Sequence, residues 1–455
     1  MTIATTLAGR IAAVSFDALP PDAIHWAKVA VLDTVGCILA GAHEPCATII
    51  GRQATIGTTG GQCLVFGHDR RVGPLEAAVI NGTAAHALDY DDCSDTLGGH
   101  PSAPILPALF ALAETLGSNG RDFLAAYVAG WEAETRIARG INFHHYEKGW
   151  HPTATIGVFG AAAACARLMG LAPDRIATAL ALAATFSSGI KANFGTMTKP
   201  LHVGHAARNG LLAALLAGDD FTARADVFEH KQGFLNVFNG EGNYDADRIL
   251  DGWGDPWDIV SPGLAIKQYP CCGSTHPAID AMLMLVREHD LRPGQVTRIE
   301  SQTHKRRLAH TNRPDPQSEL DAKFSVQYCL ARALVSGRVG IEHFEGDAYR
   351  EPAIRALLPR IEATPQAAVD VDLSLHFGAD LRVTLADGSV LTRHVPRPLG
   401  RGPEVPLPAE LLEVKFLNCA GRALPAKRSQ ALLASLRGIE GINSIGGLIG
   451  AMVAA

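Results

Sequence analysis

The feature that most constrains this chain is its small residues. The run "GVFGAAAACARLMGLAPDRIATALALAA", residues 157–184, places Ala or Gly almost everywhere a helix would meet a neighbour. Alanine loses no side-chain freedom in a helix, and small residues four apart let two helix axes approach closely. Such a segment can bury itself only by stacking on other helices. The same texture fills the first 260 or so residues. "PPDAIHWAKVAVLDTVGCILAGA" puts Ile24, Ala27, Val31 and Val35 on one face, with prolines at its start and Gly41 near its end. "SAPILPALFALAETLGSNG" predicts a helix from Ser102 to a glycine stop, and Asn119 opens the next, with Asp122 in its first turn. "HVGHAARNGLLAALLAGDDF" is another helix of the same kind.

Near residue 265 the pattern changes. "QVTRIESQTH" (295–304) reads as strand, and "AVDVDLSLHF" (368–377), "DLRVTLADG" (380–388) and "SVLTRHV" (389–395) alternate apolar and polar residues. Asp387-Gly388 sits where a hairpin would turn. Helices fall between them in "KFSVQYCLARALVSG" and "EPAIRALLPRI". After "PRPLGRGPEVPLP" the chain becomes helical again. The expected fold is mainly α: an all-helical domain over residues 1–265 and 401–455, and a smaller α+β domain over 266–400.

Composition excludes some partners. Of the 455 residues 47% are apolar and 19% charged, and the net charge of −6 argues against nucleic acid or an anionic membrane as the main partner. The nine cysteines are scattered without a C-x-x-C, as expected of thiols packed in a reducing compartment. The N-terminus shows no basic region followed by an apolar core and a cleavage site, so a cytoplasmic location is expected.

Five segments concentrate reactive side chains. "HALDYDDCSDTLGGHPSAP", residues 86–104, holds four aspartates and two histidines. His86, Asp89, Asp91, Asp92, Asp95 and His100 could supply metal ligands, but the spacing fits neither a calcium loop nor H-E-x-x-H. The plain alternative is a loop of caps and turns; the sharper one is an acid/base loop. "YEKGWHPTATIG" places His151 before a proline and an apolar helix, where the helix dipole favours the neutral imidazole. A histidine there is usually a cap, but Tyr146, Lys148 and Trp150 accompany it. "GTMTKPLHVGHAARNG" gathers Lys199, His202, His205 and Arg208; an exposed basic face is the usual reading, yet the flanks are Gly and Ala, and Lys199, His202 and Arg208 are expected near one face, suited to carboxylates. "IKQYPCCGSTHPAID" carries Lys267, Cys271, Cys272 and His276; adjacent cysteines do not suit an iron–sulfur cluster. Tyr328 lies in "KFSVQYCLARAL", where ordinary core packing is the plain reading.

In this order, "HALDYDD…GGHPS", "GWHPTATIG", "TKPLHVGHAARNG", "KQYPCC…TH" and "KFSVQY" resemble the MmgE/PrpD family, over nearly the whole chain. The resemblance implies a large all-helical domain joined to a smaller α+β domain, homodimers, and an active site in the cleft between domains. It implies activities such as 2-methylcitrate dehydratase, cis-aconitate decarboxylase or iminodisuccinate epimerase, with neither metal nor organic cofactor. Carried over residue by residue, it puts Asp89, His100, His151, Lys199, Lys267 and Tyr328 in the catalytic set, with His202, His276, Tyr146 and Arg208 as further substrate-binding candidates. The Asp89–His100 spacing is one residue longer than in the decarboxylase branch, and the polar side chain expected between them is Cys93, Ser94 or Thr96. The Lys199 segment is closer to the epimerase and decarboxylase branches than to the dehydratases.

Those chemistries share one step, a carbanion formed or left next to a carboxylate. It needs a placed base and cations where charge develops. The expected function is therefore a cofactor-independent lyase or epimerase acting on a small di- or tricarboxylate, with a 2-methylcitrate-type dehydratase as the alternative. From other classes, a metal-dependent hydrolase using the 86–104 loop and a non-catalytic binding protein remain as rivals.

Overall fold

The computed structural model describes residues 1–58, 60–366 and 377–454. The chain packs as two units: residues 1–266 with 408–455, and residues 267–407.

Helices build the first unit. Pro21–Gly41, Pro74–His86, Ser102–Leu116, Gly120–Ile141, Gly157–Leu168, Pro173–Phe186 and Thr198–Gly218 pack on one another, and Ala409–Ala420 returns to lie against Pro21–Gly41. Their ends follow local chemistry. Gly117 takes the left-handed conformation that closes Ser102–Leu116, and the Asn119 side chain accepts the Asp122 N–H to cap Gly120–Ile141. Close packing is enforced by glycine. A Cβ on Gly82 would stand 2.9 Å from the Gly204 Cα, and one on Gly204 would stand 2.3 Å from Thr83 Oγ1. Helices Pro74–His86 and Thr198–Gly218 therefore cross almost backbone to backbone. His86 lies four residues beyond that crossing and Lys199 five before it, so both reach the same end of the pair. Pro21–Gly41 is long and apolar enough to cross a bilayer, but 72% of its apolar window is buried inside the protein, as in a core helix. A two-residue hairpin, β1 (Cys63–Leu64) and β2 (Arg71–Val72), was not anticipated; two residues leave no alternation to read.

The second unit holds a four-stranded sheet ordered β4-β3-β5-β6, with β3 Val296–Thr303, β4 Ile361–Pro365, β5 Ala379–Leu385 and β6 Val390–Val395. Among the described residues only the β3–β4 pair is parallel, with Ile299 opposite Ile361; β3–β5 and β5–β6 are antiparallel. Gly388, at φ +85°, makes the Asp387-Gly388 turn. The alternating apolar residues face helices His276–His289 and Val326–Ser336, and Ile279, Met282, Ile299, Leu330 and Val383 form part of that core. β4 corrects an expectation: "EPAIRALLPRI" is helical only to Leu357, followed by a short 3₁₀ turn, and its final isoleucine opens the strand. Most of the expected strand 368–377 lies outside the described residues. None of the nine cysteines is joined in a disulfide, and seven of them are buried.

Candidate active site

The loop after helix Pro74–His86 is a chain of constrained turns. Asp89 adopts φ +53°, in the left-handed region, and its N–H bonds the His86 carbonyl at 3.2 Å. Asp92 accepts from the Ser102 N–H at 3.3 Å and from its hydroxyl, which ties the loop to the start of helix Ser102–Leu116. Cys93 and Ala265 exchange two main-chain bonds of 2.7 and 2.9 Å. Gly98, at φ +65°, and Gly99 then turn the chain. A Cβ on Gly99 would lie 2.7 Å from Thr153 Oγ1, so glycine lets the loop press on the Thr153 turn. There the His100 N–H donates to the same oxygen at 3.0 Å.

These turns gather ionisable groups. Lys199 Nζ donates to Asp89 Oδ1 at 2.7 Å, and His100 Nε2 lies 3.5 Å from the same oxygen. On its other side His100 Nδ1 lies 3.2 Å from Asp91 Oδ2, and His86 Nδ1 is 2.8 Å from that oxygen. Asp91 thus sits between two imidazoles. The His86 and His100 rings are 4.5 Å apart, and the His151 ring lies 5.9 Å from His86. His151 Nδ1 is 3.3 Å from His202 Nδ1, and its ring meets Phe194 edge-on at 4.8 Å. Asp89, Asp91, His86, His100, His151 and Lys199 are all buried.

Burial and mutual fields set the charges. Burial lowers His86 to about 4 although Asp91 pulls it up. Burial also lowers His151 well below the histidine range, helped by Lys199, His86 and His202. The helix behind His151, Pro152–Thr155, is a single turn, so desolvation and neighbouring cations keep this imidazole neutral rather than the helix dipole expected from the sequence. Burial raises the carboxyl of Asp91, but His100 and His86 outweigh it and hold Asp91 well below the carboxylate range. Asp92 behaves oppositely: burial and Asp33 raise it well above that range. An ionised Asp91 between two Nδ1 atoms fixes both as donors, which leaves Nε2 of the neutral His86 ring as its basic nitrogen. The His86 Nε2 has no hydrogen-bond partner among the described residues.

The site residues expected from the sequence fall into groups. Asp89, His100, His151, Lys199 and His202 come together here. His205, on the same helix, is exposed, and Arg208 hydrogen-bonds Asn209 at 3.3 Å. Arg208 stands nine residues past Lys199, two and a half turns and about 13 Å along the axis, so it does not share the Lys199–His202 face. The Tyr146 ring lies under the Lys191 ammonium at 3.4 Å. Lys267, His276 and Tyr328 belong to the second unit. Lys267 is buried; His276 Nε2 contacts the Cys271 carbonyl at 3.3 Å; Tyr328 donates its hydroxyl to the His343 carbonyl and accepts from Arg332 at 3.2 Å. His86 and Asp91 were grouped only as metal candidates by the sequence; their pairing through one carboxylate is tertiary. The usable signal was a histidine ending an otherwise apolar Ala/Gly helix. Of the loop side chains Cys93, Ser94 and Thr96, Cys93 places its Sγ 3.8 Å from His100 Nδ1.

His86, Asp89, Asp91 and His100 could each offer one atom to a metal, all within 4.8 Å of one another. Lys199 already supplies a cation to Asp89 at 2.7 Å, and both Asp91 oxygens contact imidazole nitrogens, Oδ2 those of His86 and His100 and Oδ1 that of His86 at 2.9 Å. The donor set therefore suits a proton network as it stands, and a metal would have to displace that ammonium. A separate cavity of about 270 Å³, lined by Arg136, Arg139 and Arg248, is not a comparable anion site: Arg136 and Arg139 are committed to Glu132, Asp258 and main-chain carbonyls.

Comparison with known proteins adds the following. The model of the MmgE/PrpD N-terminal domain matches residues 5–247, and that of the C-terminal domain residues 269–438. The chain is 30% identical to the cis-aconitate decarboxylase of Homo sapiens, over 92% of this chain and 87% of that protein. It is 29% identical to the cis-aconitate decarboxylase of Aspergillus terreus, over 95% and 92%. It is 27% identical to the 2-methylcitrate dehydratase of Cupriavidus necator, over 90% and 88%.

Proposed function

This chain is a lyase of the MmgE/PrpD family, and we propose that it decarboxylates a small unsaturated tricarboxylate of the cis-aconitate type without a cofactor. The observation that carries this reading is the Lys199–Asp89–His100–Asp91 chain beside a buried, neutral His151. Decarboxylation breaks a C–C bond and leaves its electron pair on the substrate. In cis-aconitate that pair moves through the double bond and comes to rest next to another carboxylate. The carbon there takes one proton, giving an unsaturated dicarboxylate and CO2. The protein must hold the remaining carboxylates, stabilise the developing charge and deliver that proton.

The residues suit those tasks. Lys199, anchored by Asp89, supplies the cation. His100 is the proton donor: Asp91 accepts at its Nδ1 and stabilises its imidazolium, while Nε2 faces the Asp89 side. His151, kept neutral by its surroundings, orients a substrate carboxylate or exchanges the proton on the other face. His202 braces His151.

A second reading, hydro-lyase action on a methylcitrate-type acid, follows from the similarity to the Cupriavidus enzyme and uses the same carbanion. One experiment separates them. The protein is incubated in deuterated water with cis-aconitate, citrate, methylcitrate, iminodisuccinate and tartrate-like acids in turn, and followed by NMR. The proposal expects CO2 release from cis-aconitate with one deuterium in the product. Dehydration of methylcitrate without decarboxylation moves the assignment to the second reading. No turnover of any of these acids, and no exchange into them, would sink both.

A further inference from the structure

Asp89 presents its carboxylate from a strained backbone. A left-handed φ of +53° is disfavoured for a non-glycine residue, less for aspartate than for most, and needs support from its surroundings. The next residue supplies a handle. The Tyr90 carbonyl, between Asp89 and Asp91, accepts a hydrogen bond from Lys415 Nζ at 2.8 Å. The same ammonium lies 4.0 Å from the centroid of the Tyr90 ring. Lys415 is in helix Ala409–Ala420, 325 residues away in sequence. Its other partner is Asp33 Oδ1 at 2.6 Å, on helix Pro21–Gly41. Lys415 is 5% exposed and Asp33 2%.

An ion pair so deeply buried is weak evidence for stability, because an apolar pair of the same volume does as well or better. What an apolar pair lacks is a donor for the Tyr90 carbonyl. Burial works against the Lys415 charge, yet the Asp33 carboxylate at 2.6 Å more than offsets it, so the ammonium persists. Helices Pro21–Gly41 and Ala409–Ala420 pack closely here: a Cβ on Gly36 would lie 3.2 Å from the Phe416 ring. The Lys415 head group therefore has little room to move away.

We infer that Lys415 is a positioning residue: held by Asp33, it fixes the Tyr90 carbonyl and so the left-handed turn that sets Asp89 against Lys199 and His100. The inference rests on the site assigned above, and its test includes one measurement that does not need the proposed substrate.

The full-length double variant Lys415→Met/Asp33→Asn removes both charges while keeping volume. Lys415→Met alone leaves Asp33 buried without its cation and is expected to lose much stability. The double variant should recover a melting temperature near that of the wild type. Its kcat on cis-aconitate should still fall about 10- to 100-fold, with KM within about twofold, because misplacing a catalytic group by ~1 Å costs that much. In protein labelled at histidine, the NMR titration of His100 should shift as Asp89 relaxes away from its Nε2. A double variant with wild-type kcat and an unchanged His100 titration overturns the inference and leaves Lys415 a purely structural residue. If the wild type fails to turn over cis-aconitate, the proposed function is what fails, and the His100 titration alone decides this inference. If the double variant does not fold, Lys415→Arg, which keeps the charge but moves the donor, is read by the same two measurements.

Discussion

In the first unit His86, Asp89, Asp91, His100, His151 and Lys199 turn mainly on one another. In the second unit Tyr328 turns on the main chain, donating its hydroxyl to the His343 carbonyl. A side chain bonded to a carbonyl has a partner that never titrates, and its own state is settled by the fold. A side chain bonded to another ionisable group changes state when that neighbour does. Buried polar groups thus serve two ends here: they lock the second unit's core, and they leave the first unit's cluster responsive to a proton or to a substrate carboxylate.

The largest effect should come from Lys199→Met, which removes the cation from the responsive cluster. Turnover of cis-aconitate should fall at least ~1000-fold, the scale expected when a fixed charge facing the developing anion is lost. Steady-state kinetics, with circular dichroism as a check on folding, measure it. Activity within tenfold of the wild type (well inside that ~1000-fold range) would make the Lys199–Asp89 pair structural and erase the contrast between the units.

The next effect concerns stability against pH. His86 is lowered to about 4 and His151 is lowered too, against an ordinary value of 6.5. The unfolded chain then binds more protons than the folded one between those values, so stability is complete above pH 6.5 and falls as pH drops towards 4. For His86 alone the loss is roughly 3 kcal/mol at the acid end of that window. Asp92, raised by burial, works in the other direction: its contribution is present at low pH and is lost as pH rises through its folded value. Urea unfolding at a series of pH values, for the wild type and His86→Gln, checks the sign. The variant's curve should be flatter between pH 6.5 and 4. Parallel curves would mean that His86 titrates as in the unfolded chain.

The sequence made some of this legible and not the rest. Helix ends at Gly117 and Asn119 are written in single residues whose backbone or side chain does the capping, so local reading reaches them. The Asp387-Gly388 turn is local in the same sense. β4 is not: "IEATP" is too short to alternate convincingly, and its partner β3 lies some sixty residues earlier. The loop 86–104 advertises its aspartates, but not which of them faces what. Asp91 and Asp92 are neighbours in sequence with opposite electrostatics, one held ionised by two imidazoles and the other buried against a hydroxyl near Asp33. Asp33 and Lys415 give no signal at all, because each is one of several charges in its helix, beside Asp22 and Lys28 in one and Glu410 and Glu413 in the other, and their meeting depends on how the last helices pack on the first.

The smallest effect tests the second unit. Tyr328 is fully buried, its hydroxyl is pushed up to about 12 chiefly by burial, and it spends its proton on the His343 carbonyl. Tyr328→Phe keeps the ring and removes only that bond and the one accepted from Arg332. Arg332 retains the Glu351 carboxylate at 2.7 Å and the Ala348 carbonyl at 2.9 Å, so the loss falls mainly on the His343 carbonyl. Leaving one buried acceptor unsatisfied costs about 1–2 kcal/mol. Urea unfolding should show that loss, while kcat on cis-aconitate should stay within about threefold of the wild type. The opposite result, unchanged stability with kcat down ~100-fold, would mean that the hydroxyl leaves its carbonyl to serve the substrate. The resemblance that places Tyr328 in the catalytic set would then outweigh the bond seen here, and the second unit would have a responsive group of its own.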